Sequence, residues 1–130
     1  MPNESQIDLV FLERPDLTLY LIHLTKSHSG LSAQKNLSKI LKTGTLKGSD
    51  TKSGFIKGPN PAVCLMDVPF AALKFILNKE NTDSGNPRYE PYGIVLSKKY
   101  AYEHGCRPVL YLSNLELKEM KIEEEYLWRV

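Results

Sequence analysis

Apolar and polar positions along this chain switch between two periods. Residues 18 to 24, Thr-Leu-Tyr-Leu-Ile-His-Leu, are mostly β-branched, aromatic and aliphatic and follow the turn-forming Arg14-Pro15-Asp16, which predicts a buried strand. From Ser32 to Thr43 the period changes. Leu37, Ile40 and Leu41 recur at helical spacing, Lys35, Lys39 and Lys42 fall on the opposite side, and Gly44 stands where a helix stops. The expectation is an amphipathic helix with a basic outer face. Residues 45 to 61 hold Leu46, Phe55 and Ile56 among mostly Gly, Ser, Thr, Lys and Pro, a long polar loop of the kind that binds something or stays irregular.

Further on, Ala62 to Met66 predicts a short strand that hands over directly to a helix. In that helix Asp67 is the expected N-cap, Pro69 sits in the first turn, and Phe70, Leu73, Ile76 and Leu77 form the apolar face. Asn81 to Pro91 is turn-forming, Tyr92 to Leu96 reads as a strand, and Ser97 caps a short helix that ends before Gly105. Pro108 to Leu112 is a further strand candidate, Ser113 or Asn114 caps a helix reaching about Lys121, and Tyr126 to Val130 reads as extended. Strands and helices alternate, but the strands are short, the connections irregular, and no Gly-rich phosphate loop follows the first strand. The expected class is therefore α+β, a small bent mixed sheet with short helices, rather than a doubly wound parallel sheet.

Composition adds bounds. With 130 residues, 42% hydrophobic and 25% charged, the chain is of ordinary globular make-up and predicts one domain over 1–130. No run approaches the roughly 18 apolar residues of a membrane span, and Met-Pro-Asn-Glu-Ser lacks the regions of a signal peptide, so a cytoplasmic protein with no membrane partner is expected. Cys64 and Cys106 are too few for a disulfide scaffold and are not spaced as zinc ligands, which suits reduced thiols. The formal net charge is only +2, yet residues 26 to 58 carry seven lysines against Asp50 alone, while the segment from Ser113 onward is glutamate-rich. The basic segment suits a polyanion such as DNA or RNA, with Lys35, Lys39 and Lys42 as its phosphate contacts.

Candidate chemistry gathers in two places. His23 and Thr25 are two apart at the end of the first strand, so alternation puts both on one face. They read either as a strand-end histidine bonded to backbone, or as one wall of a groove in which His23 donates to a ligand hydroxyl and Thr25 helps hold it. Arg88-Tyr89-Glu90-Pro91-Tyr92-Gly93 sets a cation, two phenols and a carboxylate beside a glycine that allows close backbone approach. That cluster suits a stacked planar ring, and Tyr92 equally suits an amphipathic core position. His28 and His104 have no ligand spacing, so no metal is expected, and there is no Gly-x-Ser-x-Gly, Walker loop or deaminase signature.

Taken in order, His23-Leu24-Thr25, Ile40-Leu41-Lys42-Thr43-Gly44-Thr45-Leu46, Cys64 to Pro69, Tyr92-Gly93-Ile94 with Lys98, and Pro108 to Tyr111 resemble the AbiGi-like abortive-infection proteins of bacterial phage defence. The opening His-x-Thr strand and Ile-Leu-x-x-Gly helix are also similar to ADP-ribosyltransferases of the DarT and tRNA 2'-phosphotransferase kind. That resemblance implies an ADP-ribosyltransferase-like fold binding NAD or a nucleic-acid end in a cleft between the His23 and Tyr92 strands. It implies His23, Thr25 and Tyr92 as catalytic residues, with His23, Tyr89 and Arg88 on NAD and nicotinamide leaving through an oxocarbenium-like state. The late Glu-Arg-Glu-Trp segment of the pattern is missing, and the expectation is either the N-terminal part of a larger protein, with that carboxylate outside this chain, or a truncated family member. The alternatives are a non-catalytic nucleic-acid-binding module and an interaction domain docking on further domains of a parent protein.

Overall fold

The computed structural model describes residues 16–49, 52, 55–83 and 85–130; Arg14 and Pro15 of the expected first turn, and the loop residues 50, 51, 53 and 54, lie outside them. Contacts divide the described residues into two compact units, one drawn from 16–45 and 65–101, the other from 46–64 and 102–130. The described residues give a small α+β fold with a two-stranded antiparallel sheet and short helices. No helix among them is long and apolar enough to cross a membrane.

In the first unit, β1 (Tyr20–Leu24) pairs antiparallel with β2 (Gly93–Ser97), with Tyr20 opposite Ser97, Ile22 opposite Val95 and Leu24 opposite Gly93. The sheet is thus antiparallel, not mixed. Pairing runs one residue past each end, since Lys98 N–H donates to Leu19 O and Thr25 N–H to Tyr92 O, both at 2.8 Å. Thr18 Oγ1 accepts the Tyr20 amide and fixes the strand's start. On the other edge of β1, Ile22 exchanges both backbone bonds with Met66 at 2.9 and 2.7 Å. The strand expected over Ala62 to Met66 shrinks to isolated bridges for this reason: Ala62 pairs with Ser49 and Met66 with Ile22, so no common partner supports a ladder.

Helix α1 (Ala33–Thr43) follows its sequence signals closely. Ser32 Oγ accepts the Lys35 amide as N-cap, and Gly44, left-handed at φ 62°, returns its N–H to Ile40 O. Ala33, Leu37 and Ile40 form the inner side, while Leu41, expected among them, is 69% exposed. The next helix departs further from expectation. A 3₁₀ turn (Phe70–Ala72) runs into a single α turn, α2 (Leu73–Ile76), and Pro69 holds the N-cap position without a side-chain bond. Asp67 does not cap it; its carboxylate instead meets Lys98 Nζ at 2.9 Å. The helix stops early because Asn78 and Asn81 take over the local hydrogen bonding: Asn78 Nδ2 donates to Phe75 O, Asn81 Nδ2 to Ile76 O, and Asn78 Oδ1 accepts the Asn81 amide. After β2, Ser97 Oγ accepts the Tyr100 amide at the start of α3 (Lys98–Glu103). The buried described residues, Thr18, Ile22, Thr25, Ala33 and Ala101, all belong to this unit.

In the second unit, Ser113 and Glu116 form a reciprocal capping box at the start of α4 (Asn114–Met120), and Lys121 ends the helix at φ 48°. Residues 108–112 are not a strand. Their single ladder-like bond runs from Leu110 N–H to Arg129 O at 2.7 Å, because the segment expected to be extended beside them coils as a 3₁₀ helix (Glu124–Arg129). That helix uses its own amides internally, as in Tyr126 N–H to Glu123 O and Val130 N–H to Leu127 O, and presents no edge. Arg107 stacks 3.8 Å from the Tyr102 ring centroid and donates to the Tyr102 and Cys106 carbonyls. Both cysteines are free thiols.

Candidate functional site

The strand register brings the two candidate clusters together at one end of the sheet. His23 lies opposite Ile94, and the Tyr92 carbonyl receives the Thr25 amide at 2.8 Å. Beyond that pair, the carboxylate of Glu90 accepts the Ser27 amide and the Ser27 hydroxyl. Tyr92 N–H donates to Glu90 O, closing the corner of the turn that leads into β2. His23 is half-buried and Tyr92 is 39% exposed. Arg88 lies 5.9 Å from the Tyr89 ring centroid, and the amides of both residues converge on Asn81 O.

Two expectations need correction. The His23 and Tyr92 strands are hydrogen-bonded neighbours, so no ligand cleft separates them. What approaches Gly93 is the chain's own backbone: a Cβ there would stand 2.5 Å from His23 O and 3.0 Å from Leu24 Cδ2. Any ligand of this cluster must therefore sit over the sheet end. Thr25 is also turned to a different purpose from His23. It is 5% exposed, and its hydroxyl stands 3.0 Å from both Ala33 O and Tyr92 O. One hydroxyl proton shared between two carbonyls ties β1, β2 and the first residue of α1 together.

Two open depressions lie near this end and beyond it. An open depression of about 440 Å³ is lined by Ser27, His28, Ser29, Gly30, Leu31 and Ser32, the connection from β1 to α1. A second, of about 450 Å³ and mostly apolar, is lined by Asp16, Pro69, Ala71, Ala72, Lys74 and Phe75. Neither includes His23, Tyr89 or Tyr92. Among the described residues no three His, Cys, Asp or Glu side chains gather closely enough to hold a metal ion.

Lys35, Lys39 and Lys42 are all exposed on α1, and among the described residues none of them is in an ion pair. What sequence reading missed is the partner of Glu90, which is Ser27. Their meeting is not local, but the register gives it, because every antiparallel pair from Leu19–Lys98 to Thr25–Tyr92 continues to Ser27–Glu90. Comparison with family models, curated proteins and solved structures returns no match for this chain.

Proposed function

We propose that this chain is an ADP-ribosyltransferase-like module of a bacterial phage-defence protein that takes NAD or a nucleic-acid end as ligand at the end of the β1–β2 sheet. The observation that carries the reading is the register that pairs half-buried His23 with Ile94, two residues from Tyr92, at the same end of the sheet. An imidazole can bond a ribose hydroxyl, an exposed phenol offers a ring on which a nicotinamide or base can stack, and the Arg88–Tyr89 pair supplies a cation for a phosphate. The ordered motifs from His23 to Tyr111 support the same family. In this reading His23 and Tyr92 touch the ligand, and Thr25 positions them through its two carbonyl partners. Free thiols at Cys64 and Cys106 suit a cytoplasmic setting.

Isothermal titration with NAD, and in parallel with a short 5'-phosphorylated oligonucleotide, tests this. Heat of binding is expected for the wild type with NAD, or in excess with the 5'-phosphorylated oligonucleotide over the same strand without the phosphate, and that NAD heat or excess is expected to vanish in His23→Ala and Tyr92→Ala proteins that keep the wild-type circular dichroism. A wild-type protein that gives neither the NAD heat nor the excess overturns the reading.

A further inference from the structure

The basic face of α1 lies outside the sheet-end site and has its own geometry. At 3.6 residues per turn, Lys35, Lys39 and Lys42 fall within about 60° of one another around the helix and span about 10 Å along it. Ala33, Leu37 and Ile40 occupy the opposite side, which faces inward. The inner side is fastened at two points: Thr25 Oγ1 donates to Ala33 O, and Asn36 Nδ2 donates to Lys26 O at 2.8 Å. The second bond holds the backbone of Lys26 beside the helix. The helix contains no acidic residue, so no i,i+4 partner neutralises the stripe.

We infer that the outer face of α1 docks the phosphate backbone of a nucleic acid. Three ammonium groups in a row on a rigid helix match a linear array of phosphates, and counterion release then supplies the affinity. The sector of the helix that the three lysines span holds no apolar side chain. Leu41 is exposed on a flank, and one leucine falls far short of the apolar face an interfacial helix buries, which favours a nucleic acid over an anionic membrane. The contact reads charge and spacing, so it is independent of base sequence. This inference stands on charge geometry alone and does not need NAD at the sheet end.

The test is fluorescence anisotropy with labelled single-stranded and duplex oligonucleotides of scrambled sequence, at 50 to 200 mM salt. Three contacts predict a log–log salt slope of about −2 on single strands and about −3 on duplex, the latter a loss of about 40-fold across that range. Lys35→Gln/Lys39→Gln/Lys42→Gln, which keeps good helix formers in α1, is expected to lose at least tenfold in affinity and most of the slope. Lys57→Gln/Lys118→Gln/Lys121→Gln removes the same charge elsewhere and is expected to bind as the wild type does. The triple α1 variant should leave the NAD titration unchanged, which separates failure of this inference from failure of the sheet-end reading. Equal loss in both triple variants, a salt-independent wild type, or binding to phosphatidylserine vesicles without binding to oligonucleotides would overturn it.

Discussion

Replacing Gly93 with alanine should open the sheet at the end where the candidate site sits. The new methyl would lie 2.5 Å from the His23 carbonyl oxygen and 3.0 Å from Leu24 Cδ2. A carbon–oxygen contact of about 3.3 Å is the closest that strands normally allow, so β1 and β2 must part by about 0.8 Å. Backbone, not a flexible side-chain tip, has to move. The adjacent bonds from the Thr25 amide and hydroxyl to Tyr92 O, at 2.8 and 3.0 Å, are then stretched beyond useful length. Losing both costs about 2 kcal/mol. Overpacking adds about 1–3 kcal/mol, and the stiffer unfolded chain returns about 0.4–1 kcal/mol. The net is about 3 kcal/mol, or a fall in melting temperature of about 12 °C for a chain of this size. Gly30→Ala is the control, since it has nothing within 4 Å but a φ of +76°, and it should cost about 1 kcal/mol and about 4 °C. Thermal denaturation of both variants, followed by circular dichroism, measures the difference. If Gly93→Ala melts no lower than Gly30→Ala, the close approach of β1 to Gly93 is not as described.

Thr25→Val keeps the shape and removes the hydroxyl shared by Ala33 O and Tyr92 O, so it should destabilise by about 1–2 kcal/mol, with Thr25→Ser restoring most of the loss in the same melt; equal stability of the valine and serine proteins would contradict the tie. In α4, the Ser113 amide and then the Ser113 hydroxyl hold the Glu116 carboxyl below its ordinary range. A lowered folded value means that this contribution is whole above the ordinary glutamate pKa and disappears as pH falls through the lowered one. An NMR titration should put the Glu116 midpoint below that of an unstructured glutamate in the wild type and return it toward normal in Ser113→Ala, which also lowers helicity over 114–120; an unshifted wild-type midpoint would refute the capping box.

How far the sequence could be read depended on how far apart the interacting residues are. The ends of α1 and α4 were legible because each signal lies within one turn: Ser32 and Gly44 for one, Ser113 with Glu116 for the other. β1 and β2 were legible from their side chains, but β-propensity states only that a residue suits a pleated, half-buried surface. It misled at 62–66, 108–112 and 126–130, where the residues suit a strand and no continuous partner exists. The short α2 failed for a local reason of a different kind, since Asn78 and Asn81 compete for backbone groups that the apolar spacing alone assigns to a longer helix.

The candidate site shows the same division. Residue type correctly marks His23, Thr25, Glu90 and Tyr92 as polar groups that need partners, but it cannot distinguish a hydroxyl held ready for a ligand from one that closes a backbone corner. Register makes that distinction. Once β1 and β2 pair as they do, Thr25 is buried against Ala33 and Tyr92, Glu90 is drawn onto Ser27, and Gly93 admits a carbonyl of its own chain. The lysines divide by the same principle. Lys98 follows β2 and meets Asp67 at 2.9 Å, whereas Lys35, Lys39 and Lys42 stand on a helix with no acid of its own. Equal charges thus have unequal surroundings: the first meets a carboxylate of the segment after Met66, and the other three remain on an exposed outer face whose helix offers no acidic partner.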